Sequence, residues 1–183
     1  SPAKAETLLR RHIGVCFDTC HIALQFESLA NSLRAFEAAN ILVSKIQISA
    51  ALKTFNTPEG ISALKPFAEP TYLHQVKSLS PNGQRHSWQD LSLALPHLSS
   101  LPQDTELRVH FHVPLFLSPT LPLESTTSTL TPEFWSLVKT GICKHLEIET
   151  YTFDVLPPTV RPSDITESIT AEYSWALDHL ASN

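Results

Sequence analysis

Residues 13–21 read Ile13-Gly14-Val15-Cys16-Phe17-Asp18-Thr19-Cys20-His21, a short β-rich run that closes on a carboxylate, a hydroxyl, a thiol and an imidazole. Side chains alternate along a strand, so Val15 and Phe17 fall on one face and Cys16 and Asp18 on the other. Three further runs repeat the pattern, at residues 44–49, 107–113 and 145–151. Their apolar faces hold Ile46 and Ile48, then Val109, Phe111 and Val113, then Leu146 and Ile148. Their polar faces hold Lys45, Gln47 and Ser49, then His110 and His112, then His145, Glu147, Glu149 and Tyr151.

Helical spacing lies between and after these runs. Leu29, Leu33, Phe36 and Ala39 recur at three- and four-residue steps across residues 27–40, one apolar face that Asn40 ends. Residues 88–98 form a second helix, interrupted near Pro96, and Pro132–Lys139 a third, with Pro at its first turn and Gly141 just past its end. A last helix covers residues 163–180, with Glu167 placing acidic charge in its first turn. Strand and helix alternate four times, which predicts parallel strands joined by right-handed crossovers. Residues 54–85, rich in Pro, Ser and Asn, read as a long mobile loop that gates whatever lies beneath it.

A parallel sheet covered by helices on both sides is apolar on both faces. The polar second face therefore excludes an ordinary doubly wound sheet and predicts an α/β barrel with a polar interior, its chemistry at the strand C-termini. Four glycines leave no room for a glycine-rich phosphate fingerprint. A single buried histidine or glutamate is commonly just a hydrogen-bonded core group. Four strands sharing one polarity argue instead for a common site, because burying so many ionisable groups is costly unless they pair or hold a cation.

At 183 residues and 42% hydrophobic content the chain fits one domain. A net charge of −5 and 13 scattered Lys and Arg residues give no basic stripe, so nucleic acid is not the expected partner. No apolar stretch approaches the roughly 20 residues of a membrane span, and the first residues lack a signal-peptide layout. Three cysteines, Cys16, Cys20 and Cys143, are too few and wrongly spaced for a disulfide framework or a zinc knuckle, which points to a reducing cytoplasm. The chain starts at Ser1 and contains no methionine, as a processed or truncated product would.

The segment from Gly14 to His21 resembles the corresponding strand of the xylose-isomerase-like superfamily, which includes AP endonucleases and sugar isomerases and epimerases. Residues 12–21, 45–51, 69–75 (EPTYLHQ), 108–116 (with VHFHVP) and 145–156 (within LEIETYTFDVLP) look closer still to one branch, the EboE metabolite traffic proteins. The resemblance implies the C-terminal half of a TIM barrel over residues 1–183 and a role in binding, and chemically altering, a small metabolite or its precursor. A divalent-metal sugar isomerase or epimerase is the alternative, and an AP endonuclease the third, disfavoured by the acidic charge.

Residue by residue, Asp18 and His21 match the superfamily motif, and Glu149 matches its terminal metal-binding glutamate. The implied metal set is Asp18, His21, His112 and Glu149, for Zn, Mn or Mg, with His21 and Glu149 as the catalytic candidates. Gln47, a weak neutral ligand, stands where relatives place a ligand histidine, so either metal affinity is reduced or His110 and His112 replace it from the next strand. Gln47, Glu69, Tyr72, His74 and His110 complete the substrate-binding candidates, the middle three overhanging the barrel mouth from the loop. Cys20 lacks an orienting partner and is not read as a nucleophile. Four parallel strands leave two open edges, so the chain is expected to associate with an N-terminal barrel half or with a second copy.

Overall fold

Ten residues of helix after Ser28 carry the chain back beside its first strand. The computed structural model describes residues 2–149, 152–158 and 161–182. Helix α1 (Pro2–His12) leads into strand β1 (Val15–Asp18), and helices α2 (Thr19–Leu24) and α3 (Leu29–Ala38) return it to β2 (Val43–Ile48), parallel to β1. Ser28 caps α3 by accepting from the Asn31 N–H, and Asn40 ends it in the left-handed region at φ 53°, which a short amide side chain tolerates. Gln47 sits beside Asp18 on one flank and Glu147 on the other.

Only Ser49 and Ala50 separate β2 from β3 (Ala51–Phe55), and that spacing decides the architecture. A parallel neighbour would need a crossover of a dozen or more residues. Instead β3 leaves the parallel layer and enters an antiparallel one. There it is joined, after helix α4 (Pro58–Leu64), by the hairpin β4 (Val76–Leu79) and β5 (Arg85–Trp88). Helix α5 (Leu91–Leu98) and strands β6 (Glu106–His112) and β7 (Glu124–Ser125) follow, giving the order β5-β4-β6-β3-β7. Helix α6 (Pro132–Lys139), capped by Thr131, then delivers β8 (Leu146–Ile148) parallel to β2, completing a three-stranded sheet β1-β2-β8. Helix α7 (Ile165–Ala181), capped by Asp164, ends the chain.

These layers correct the barrel expectation. All four expected strands form, although the end of the last, at residues 150 and 151, lies outside the described residues. The third of them, β6, is antiparallel to both its neighbours and belongs to the other sheet, so there is no quartet of βα units and no closed barrel. Its alternation has a simpler cause. Leu107, Val109 and Phe111 are buried while Glu106, Arg108 and His110 share the opposite, half-buried face, the usual pattern of an antiparallel strand with one face on the core.

Residues 54–85 are likewise not an irregular loop. They contain the end of β3, α4, a 3-10 turn at Lys65–Phe67 and β4, anchored by buried Leu64, Phe67 and Val76. One apolar cluster joins the two sheets, with Phe17, Ile46 and Ile48 from the parallel layer meeting Leu52, Val109 and Phe111 from the antiparallel one. Phe67 packs edge-on against Phe111 at 4.9 Å. No helix among the described residues is long and apolar enough to cross a membrane.

Gly60 lets helix α4 approach the end of β3 closely. A Cβ there would stand 2.2 Å from the Phe55 carbonyl oxygen and 2.8 Å from Thr54 Oγ1. Alanine normally improves a helix by about 1 kcal/mol over glycine. Here the backbone clash dominates, so Gly60→Ala should lower stability by about 1–3 kcal/mol in urea unfolding. A neutral or stabilising result would contradict this packing.

Candidate functional site

Asp18 is at once the last residue of β1 and the N-cap of α2, and both roles are met through one oxygen. Its Oδ1 accepts from the Cys20 N–H (2.9 Å), the His21 N–H (3.2 Å) and the Ser49 hydroxyl (2.8 Å). Thr19 locks the same corner: its Oγ1 accepts from the Ser49 N–H (2.8 Å) and donates to the Ser49 carbonyl (2.7 Å). The carboxylate is thereby fixed in orientation, and its Oδ2 lies 4.0 Å from His21 Nε2.

The antiparallel sheet brings two more imidazoles to this corner. His110 packs its ring on His21 at 4.3 Å and edge-on to His112 at 5.1 Å. His112 is buried, and its Nδ1 lies 3.4 Å from the Glu149 carbonyl oxygen and 3.8 Å from the Glu149 Oε2. A donor is needed opposite that carbonyl, which places the proton on Nδ1 and the lone pair on Nε2. The Thr152 hydroxyl donates to the His112 carbonyl at 2.6 Å and holds β6 against the segment after β8. Ligand atoms of Asp18, His112 and Glu149 all lie within 4.8 Å of one another, as do those of Cys20, His110 and His112.

Electrostatics favour the first group. Burial, with His112 and His21 nearby, pushes His110 down to about 3, and burial likewise lowers His112, so both rings are neutral and carry a lone pair at neutral pH. Burial and the neighbouring Asp18 charge push Glu149 up, and outweigh the opposite pull of His21 and Lys45. Burial, reinforced by Asp18 and Glu149, drives the Cys20 thiol well above its ordinary range and keeps it protonated.

A cavity of about 590 Å³ opens over this cluster. Asp18, His21, His110 and Glu149 line it together with Cys16, Gln47, Tyr72 and Leu73. Cys16 Sγ donates to Gln47 Oε1 at 2.9 Å, and Lys45 is paired with Glu147 at 2.7 Å. A second cavity, of about 450 Å³ and lined by Trp135, Lys139 and His179 between α6 and α7, contains no comparable cluster of acids and imidazoles.

The sequence candidates thus divide. Asp18, His21, His110 and Glu149 meet on the cavity wall, His112 stands just behind it, and Gln47 and Tyr72 line it. Glu69 and His74 are not among the lining residues and instead bond to each other, His74 Nε2 to Glu69 Oε1 at 2.7 Å. His74 is fully buried, its Nδ1 lies 3.0 Å from the His110 carbonyl, and the His110 N–H donates to the Gln75 carbonyl at 2.8 Å. The 69–75 segment therefore clamps the His110 peptide from both sides. Ser49, Thr19 and Leu73 were not singled out from the sequence as site residues. The serine and threonine carry no pattern that marks a positioning role, and an exposed leucine on a rim has no signature at all.

Compared with known proteins, the chain matches no family model, no curated sequence and no solved structure.

Burial alone would raise the Glu69 carboxyl, but hydrogen bonds from Thr71, His74 and the Tyr72 N–H outweigh it and hold the group below its ordinary range. A lowered folded pKa contributes stability above the unfolded carboxylate value and loses it as pH falls through the folded one. Glu69→Gln should therefore cost about 1–3 kcal/mol at neutral pH. The gap to the parent chain should close below about pH 4 in urea melts taken across the acid range. A gap independent of pH would show that Glu69 acts through packing alone.

Proposed function

We propose that the chain binds a small polar metabolite through a divalent cation held by Asp18, His112 and Glu149, in a metabolite-handling role of the EboE type. The observation that carries this reading is the convergence of two carboxylates and a neutral imidazole within 4.8 Å at the edge of a cavity large enough for a small molecule. A mixed oxygen and nitrogen set suits zinc or manganese, whereas magnesium prefers oxygen ligands throughout. The carboxylate pair supplies the negative charge, and the rise of Glu149, caused by burial and by Asp18, is one that a nearby cation would oppose.

When bound, the ion supplies Lewis acidity toward a ligand oxygen. The chain's own residues do the rest. With Gln47 Oε1 engaged by Cys16, the Gln47 amide presents its N–H groups to an acceptor on the ligand. Tyr72 and Leu73 cover the ligand from the rim, and His21, half-exposed beside Asp18, is the group able to take or give a proton. Asp18, Glu147 and Glu149 together repel a phosphate backbone, which disfavours a nucleic acid substrate.

Calorimetric titration of the chain with Zn or Mn tests the reading. One ion should bind per chain. Asp18→Asn, His112→Ala and Glu149→Gln should each weaken binding by more than the roughly 10–100-fold typical of an outer partner, with Cys20→Ser unchanged. Absence of stoichiometric binding would remove the reading.

A further inference from the structure

Two helices of this chain present apolar side chains that are exposed among the described residues. In α1 every residue from Lys4 to His12 is exposed, and Leu8, Leu9 and the following Ile13 are 47–63% accessible. Arg10 ties the helix down through the Asn40 carbonyl at 2.8 Å. An isolated 11-residue helix is marginal in water, because nucleation is unfavourable and most helical stability comes from packing one face. Helix α7 is built inside out along one flank. Ser168 and Glu172 are buried, while Ile165, Ile169, Tyr173 and Leu177, at four-residue steps, are 37–59% accessible. Glu172 is used inside, accepting from the Leu115 N–H at 3.1 Å, so the inversion is part of the fold. An i, i+4 row of this kind is the ridge that seats in the groove of another helix.

The two faces are complementary. Helix α1 carries Lys4, Arg10 and Arg11 against a single acid, Glu6. Helix α7 carries Glu167 and Asp178 on its exposed side and has no Lys or Arg. They also flank opposite margins of one sheet, α1 running into β1 and α7 following β8, and among the described residues each of those strands pairs with β2 alone. Among the described residues this three-stranded parallel sheet thus has an edge without a sheet partner on either side, a place where a further chain can add.

We infer that the partner is a second copy of this chain, with α1 of each protomer seated on the Ile165-Ile169-Tyr173-Leu177 ridge of the other. The contact is reciprocal, so one two-fold axis satisfies both faces and doubles the area that a single helix pair would bury. Unlike charges steer α1 toward α7 and away from its own counterpart, since α1 on α1 or α7 on α7 would set like charges together.

Sedimentation of the chain at micromolar concentration tests this, with hydrogen exchange on the same samples. A dimer is expected, with α1 amides protected only where the dimer is populated. Leu9→Glu and Leu177→Glu place a charge on exposed positions of the two faces and should each weaken self-association about tenfold or more without unfolding the chain. Leu9→Ser and Leu177→Ser serve as milder versions if circular dichroism shows lost structure. The mixture of Leu9→Glu with Leu177→Glu should associate better than either alone, because one protomer supplies an intact α1 and the other an intact α7. A monomeric parent chain, a dimer indifferent to both substitutions, or a mixture no better than its components would each overturn the assignment.

Discussion

The structure turns on the corner where Asp18, Thr19 and Ser49 meet. One hydroxyl and one backbone amide of Ser49 tie the turn between β2 and β3 to the turn between β1 and α2, through bonds of 2.8 Å each. The Thr19 hydroxyl returns the connection to the Ser49 carbonyl at 2.7 Å. Charge-assisted bonds of the Asp18 type contribute about 1.5–3 kcal/mol each. Their larger effect is geometric, because they fix where the parallel layer stops and the antiparallel one begins. Everything in the cavity is referred to that corner: α2 starts from it, His21 is carried on α2, and β3 leaves it to pair with the strand that carries His110 and His112.

The site is therefore a product of two sheets and belongs to neither alone. Asp18 and Glu149 come from the ends of parallel strands, and the two histidines come from an antiparallel one. The acids and imidazoles face each other across the seam, so each half of the cluster perturbs the other. Burial keeps His110 and His112 neutral, and burial together with the nearby Asp18 raises the cost of the Glu149 charge. Neutral nitrogen donors beside a pair of acids form an arrangement that a divalent cation would complete. The clamp of Glu69 and His74 on the His110 peptide adds rigidity from behind, as supporting shells around ligand-binding groups generally do.

The strands were legible in the sequence because alternation is a local property. Residues 44–49 and 107–113 needed no tertiary knowledge to be placed, and the Pro132 and Gly141 signals bounded α6 at both ends. Pairing was not legible. The alternation of His110 and His112 with Val109 and Phe111 describes the lining of a barrel and one face of an antiparallel sheet equally well. The feature that separates them is β3, and Ala51–Phe55 is too short and too mixed to stand out beside the Pro- and Ser-rich residues that follow. The site was more legible than the fold, since Asp18, His112 and Glu149 were marked by chemistry at strand ends, whichever sheet each strand joined. His74 shows the limit: a histidine between a carboxylate and a carbonyl is a brace, and only coordinates distinguish a brace from a ligand-binding group.

In the proposed site, oxygen and nitrogen donors from both sheets close on one cation while the buried thiol stays out. X-ray absorption spectroscopy of the zinc-loaded chain addresses it directly. A shell of light donors at about 2.0–2.2 Å with a histidine signature and no sulfur is expected. A sulfur scatterer at about 2.3 Å would place the ion at Cys20, His110 and His112 instead and contradict the assignment of Asp18 and Glu149 as ligands.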